Sequence, residues 1–117
     1  MAGFLGCFCK GFAQCHRINF YIFGLKKFDD IGISESICFI KIDVEGYELE
    51  VLKGAKKTLL RTKYVVVETR HNHLTFYNQY KLSDLVKLMT RNKFVLTNII
   101  TAKPFIADLC FQPSNNV

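Results

Sequence analysis

The sequence predicts an α/β domain whose sheet is partly parallel and ends in an antiparallel pair. Ile37 to Asp43 (ICFIKID) and Tyr64 to Glu68 (YVVVE) are nearly continuous apolar runs. They lack the alternation of a half-exposed strand and suit parallel strands covered by helices on both faces. Between them the apolar period lengthens to that of a helix, so the stretch is a strand–helix–strand crossover, whose two strands run parallel. Phe94 to Ile100 and Ile106 to Phe111 are joined by a short connection and read as an antiparallel pair. The order is β-α-β-α-β-β.

Taken from the start, Met1 to Cys9 is apolar, but no positive region precedes it and Lys10 ends it. Neither this run nor Ile18 to Leu25 is long enough to span a bilayer. Ile18 to Leu25 is rich in aromatic and β-branched residues and is expected to be a strand, with Met1 to Cys15 poorly fixed before it. Lys26 to Ser36 is a polar connector in which Asp29, Asp30 and Gly32 form turns. After the strand that closes at Asp43, Val44-Glu45-Gly46 breaks the pattern. From Tyr47 to Arg61, Tyr47, Val51, Leu52, Ala55 and Leu59 share one helical face. Glu45, Glu48 and Glu50 near its start and Lys56, Lys57 and Arg61 near its end suit the helix dipole. Gly54 costs about 1 kcal/mol in a helix interior and is expected to allow close approach to the sheet. Leu82, Leu85, Val86 and Met89 mark a second helix. Residues 1–28 form an unassigned apolar segment, 29–113 the α/β unit and 114–117 a tail.

A chain of 117 residues is one domain at most. Half of it is hydrophobic and 14% aromatic, which excludes a disordered class. Its formal charge is +6, but Lys and Arg lie scattered on two predicted helices. That distribution describes two solvated faces, so nucleic-acid binding ranks last among the functions considered. Five cysteines make neither a disulfide framework nor a zinc site, and Cys38 and Cys110 read as small hydrophobes within strands. A reducing, cytoplasmic setting is expected.

In an open α/β sheet, ligands bind beyond the carboxyl ends of the strands. The first parallel strand ends at Asp43, with Glu45 in the turn beyond. The second ends at Glu68, and Thr69, Arg70, His71, Asn72 and His73 follow it. If the strands are neighbours, the two polar clusters face one crevice. Helix capping is the alternative role for Asp43 and Glu45; a solvated loop histidine is the alternative for His71 and His73. A histidine beside a carboxylate can act as general base. The spacing of these groups matches no metal signature.

The string Ile40-Lys41-Ile42-Asp43-Val44-Glu45-Gly46-Tyr47-Glu48-Leu49-Glu50-Val51-Leu52-Lys53-Gly54-Ala55, followed by Val65-Val66-Val67-Glu68, resembles the FkbM family of methyltransferases. The resemblance covers about a third of the chain strongly. It implies a Rossmann-like class I methyltransferase sheet in which Ile37 to Asp43 is the fourth strand and Tyr64 to Glu68 the fifth, with the final pair containing a reversed seventh strand. It also implies methyl transfer from S-adenosylmethionine to an oxygen or other nucleophile of a small molecule or sugar. Asp43, Glu45 and His71 would then be catalytic, and Glu68 and His73 would contact the acceptor. The glycine-rich loop of that fold has no counterpart here, because Gly3, Gly6 and Gly11 follow no strand ending in an acidic residue. The acidic residue that grips the ribose has no counterpart either. The chain is therefore expected to be a truncated methyltransferase. The competing expectation is a non-catalytic remnant or partner-binding module, which would self-associate through an exposed sheet edge.

Overall fold

The structure, a computed structural model, describes residues 4–9, 17–21, 27–32, 36–44, 46–70, 80–104 and 106–116. Its strands are β1 (Phe4–Cys9), β2 (Arg17–Tyr21), β3 (Ile37–Asp43), β4 (Thr62–Arg70), β5 (Phe94–Lys103) and β6 (Ile106–Pro113). Its α-helices are α1 (Glu48–Lys53), α2 (Lys56–Leu59) and α3 (Leu82–Arg91). The strands form one mixed sheet in the order β2-β1-β3-β4-β6-β5. β3 and β4 are parallel, with Ile40 opposite Val65 and Ile42 opposite Val67, as the two apolar runs predict. β6 lies between β4 and β5 and runs antiparallel to both, so β5 is parallel to β4.

One face of the sheet carries the core. Ile40, Val65 and Phe111 form one row and Ile42, Val67 and Leu109 the next, all of them buried. Leu52, Ala55 and Leu59 from the first crossover and Leu85, Leu88 and Met89 from α3 close over these rows in a single cluster. The opposite face is covered less well than the sequence suggests. Val66 and Cys110 are buried there, but Phe39, Lys41, Tyr64 and Gln112 remain partly or largely accessible. Among the described residues the helices thus pack on one face, which corrects the expectation of two. The core prediction is modest: Ile42→Val removes one methylene and should cost about 1 kcal/mol in chemical denaturation. A cost near zero would mean that the site is loosely packed.

The expected helix from Tyr47 to Arg61 is divided. Gly54 and Ala55 interrupt it, and the cause lies earlier in the chain. Phe28–Ile31 forms a 3-10 turn closed by Gly32 at φ 78°, and it packs beside α2. The Asp29 amide donates to the Gly54 carbonyl at 2.9 Å. A Cβ on Gly54 would meet Lys27 Cβ at 3.2 Å, so the close approach that glycine permits is to this turn and not to the sheet. The Asp29 carboxylate then caps α2, accepting from the amides of Lys57 (3.1 Å) and Thr58 (2.8 Å) and from Thr58 Oγ1 (2.7 Å).

Partial burial by itself would raise the Asp29 pKa. The Thr58 hydroxyl, the two amides and the Lys57 charge outweigh it and hold the carboxyl below its ordinary value. A depressed folded pKa means that this contribution is complete above the unfolded value, near 3.9, and is lost as pH falls through the folded one. Asp29→Ala should therefore cost about 1 kcal/mol at neutral pH and much less in acid. Denaturation curves at pH 7 and pH 3 check this; an equal cost at both would remove the charge from the account.

Of three further expectations, two change and the strand at Ile18 to Leu25 holds over the described residues. Phe4–Cys9, placed in a poorly fixed segment, forms β1 and pairs antiparallel with both β2 and β3. The strand expected at Ile18 to Leu25 begins at Arg17 and is described to Tyr21. Cys38, expected inside, is exposed, because the pairing of β1 with β3 passes from Phe39 to Ile37 and leaves it as the extra residue of a bulge. Among the described residues no helix is long and apolar enough to cross a membrane.

Candidate functional site

The parallel strands bring two of the predicted residues into one row. Asp43 closes β3, one position beyond the Ile42–Val67 pair, so it lies level with Glu68 on β4. Glu68 pairs directly with Asp108 on β6. Neighbouring strands stand about 4.8 Å apart and side chains in one row share a face. Asp43, Glu68 and Asp108 therefore line three adjacent strands at the carboxyl edge of β3 and β4, on the face without helices. All three are half-buried. Like charges directly opposite one another in a sheet are unfavourable.

Asp108 is the member that sequence reasoning missed. Thr101 on β5 donates to its Oδ2 at 2.6 Å, which extends the polar row to a fourth strand. Its Oδ1 is buried with no hydrogen-bond partner among the described residues. Such an oxygen forgoes about 1–3 kcal/mol unless a donor reaches it. The signal was present in the sequence: a strand reversed beside β4 must begin at the carboxyl end of β4, and Asp108 is the acid in its first residues.

Beyond Asp43 the chain turns sharply. The Tyr47 amide donates to the Val44 carbonyl at 3.3 Å, and Gly46 sits at φ 104°, where a side chain would be strained. Tyr47 holds the N-cap position of α1, so Asp43 is not its cap. Glu48, which the sequence places among favourable acids at the helix start, is 2% exposed. Its two carboxylate oxygens accept from the Gly46 amide at 3.2 and 3.0 Å. The Tyr80 hydroxyl faces the same carboxylate, and burial together with that charge pushes its pKa well above the ordinary tyrosine range.

Glu45, His71 and His73 lie outside the described residues, so Asp43 and Glu68 are the predicted site residues that the structure places. Arg70 ends β4, and the described chain resumes at Tyr80, just before α3. Among the described residues no three His, Cys, Asp or Glu side chains group closely enough to hold a metal ion.

A family model for the FkbM methyltransferase domain matches residues 14–96, well over half of the chain. No curated protein and no solved structure matches it. This family implies S-adenosylmethionine, whose adenosyl group, ribose and charged amino-acid tail each need placed partners. The described residues do not fit those parts. The strand beside β3 is β1, and it runs antiparallel, with Phe4 beside Asp43 and Cys9 beside Ile37. Its carboxyl end thus lies beside Ile37, at the opposite end of β3 from Asp43.

Proposed function

The chain belongs to the FkbM methyltransferase domain family, and from that premise we propose that its carboxyl edge is the acceptor side of a methyl-transfer centre. The row of Asp43, Glu68 and Asp108 across adjacent strands is the observation that carries this reading. Carboxylates only accept hydrogen bonds when ionised, so a row of them selects a partner rich in donors. A sugar or another small molecule bearing hydroxyls has that character. Asp43, with Glu45 in the turn beyond, orients the acceptor hydroxyl or takes its proton, and His71 assists. Glu68 and His73 hold the remainder of the acceptor. Alignment is the chief demand of a displacement at carbon, and groups fixed on strand ends meet it. The order β3-β4-β6-β5, with β6 reversed, supports a Rossmann-like class I sheet in which β3 and β4 are the fourth and fifth strands.

One observation favours a second reading, a non-catalytic partner-binding module. β1 fills the position beside β3 in the reversed sense, where a cofactor-binding strand would have to be parallel. Self-association in that case uses an outer strand, because β1 pairs along β3 and leaves β2 and β5 at the borders of the sheet. The two readings part in one assay. The chain is incubated with millimolar S-adenosylmethionine labelled in its methyl group and a small-molecule extract enriched in sugars. Label appearing in an acceptor, and depending on Asp43, supports methyl transfer; no label at any cofactor concentration leaves the binding module.

A further inference from the structure

We propose that the rim of the sheet opposite the carboxylate row is a docking surface for an anionic membrane. β3, β4 and β5 begin at this rim and β6 ends there. Three segments meet at it: the turn from α2 into β4, the turn from α3 into β5, and the residues that follow β6. They enclose a groove of about 380 Å³, whose lining is part apolar (Leu59, Leu60, Pro113) and part polar (Lys93, Ser114, Asn115). The Ser114 amide donates to the Lys93 carbonyl at 2.8 Å and ties two of the segments together. Charge on these segments has one sign. Lys56, Lys57, Lys63, Arg91 and Lys93 are exposed, and continuing the Val65–Phe111 pair by two residues brings Lys63 level with Pro113. Residues 54–67, 85–107 and 109–117 contain no Asp or Glu. Asp29, in the turn packed beside α2, is engaged by the α2 amides. The cations that read as two separate solvated faces in the sequence therefore meet at one rim.

Two features go beyond a solvated basic surface. Leu60 is 83% exposed, more than any other large hydrophobic side chain described, and it lines the groove among these cations. Lys93 follows the C-cap of α3 at φ 65°, a left-handed backbone that glycine adopts more cheaply. A lysine there costs stability and supplies charge. On a membrane the cations meet headgroup phosphates while the leucine enters the acyl boundary. A single-stranded nucleic acid would instead call for aromatic rings on which bases stack. Asp43, Glu68 and Asp108 occupy the opposite edge, so an extended anionic surface attracts one end of the sheet and repels the other. The carboxyl edge is then left facing water. This inference does not depend on the methyl-transfer reading.

The test is sedimentation of the whole chain with two kinds of vesicle, phosphatidylcholine alone and phosphatidylcholine with about 30% phosphatidylserine. Binding to the anionic vesicles should be at least about tenfold tighter and should be lost in about 0.5 M salt. Each cation near such a surface contributes about fivefold, so Lys63→Gln combined with Arg91→Gln should weaken binding by about 25-fold. Lys93→Gly should weaken it about fivefold while the melting midpoint stays the same or rises. A general loss of folding cannot give that pair of signs. Leu60→Ser should weaken binding several-fold and leave its salt dependence unchanged. Equal binding to the two vesicles, binding to neither, or binding that survives the salt overturns the proposal. Displacement of the vesicles by duplex DNA, with Leu60→Ser binding as tightly as the wild type, overturns it in favour of a nucleic-acid surface.

Discussion

Asp43→Asn should lower methyl transfer by about 100-fold or more while leaving the fold as stable as before. The two expectations have separate causes. Asparagine keeps the shape of aspartate and accepts a hydrogen bond through one oxygen, but it cannot take a proton near neutral pH. A positioned base contributes typically 10²–10⁴ to a rate, and that contribution is what the substitution removes. Stability responds differently. Asp43 lies level with Glu68, which pairs with Asp108, so removing one negative charge from the row relieves repulsion. The midpoint of thermal unfolding should therefore stay constant or rise slightly. Transfer measured at millimolar cofactor, beside a melting curve of the same preparation, reports both. A loss of activity matched by a loss of stability would return Asp43 to a structural role. Undiminished transfer would remove it from the site.

The parts of this molecule that were legible in its sequence are those governed by local pattern. The runs ICFIKID and YVVVE announce buried strands because no polar residue interrupts the core-facing positions, and β3 and β4 follow. Leu82, Leu85, Val86 and Met89 fall within α3 for the same reason. What was illegible depends on contacts between distant residues. The break in the first crossover comes from Asp29, which is 28 residues before the Lys57 amide that it caps. Nothing near Gly54 foretells it. Glu48 resembles any surface acid at a helix start, and Tyr80, 32 positions later, marks it as an enclosed one. Asp108 itself can be placed beside β4 from the sequence, but its partner on β5 is hidden by a hairpin whose register shifts twice. Counting back from the turn at Pro104 therefore misplaces its partners. β1 is a different case: a short apolar run carries no period that separates strand from linker.

Binding of S-adenosylmethionine to this chain should be weaker by about 10³-fold than that of an intact cofactor site. The size follows from what the sheet does not offer. Among the described residues three parts of the cofactor find no placed partners: adenosyl group, ribose and amino-acid tail. If each loses one hydrogen bond worth about 1.5 kcal/mol, the sum is roughly 4–5 kcal/mol, and each 1.4 kcal/mol is tenfold. The carboxylate row remains, but on the proposed reading it would meet the reacting centre and little else. Glycine substitution cannot repair this, because the strand beside β3 points its carboxyl end toward Ile37 and away from Asp43. Calorimetric titration of the purified chain with S-adenosylmethionine tests most directly the claim that this sheet presents the acceptor edge without the cofactor cradle. The result expected is no saturable heat at micromolar concentrations. Saturable one-to-one binding with a micromolar dissociation constant would contradict it.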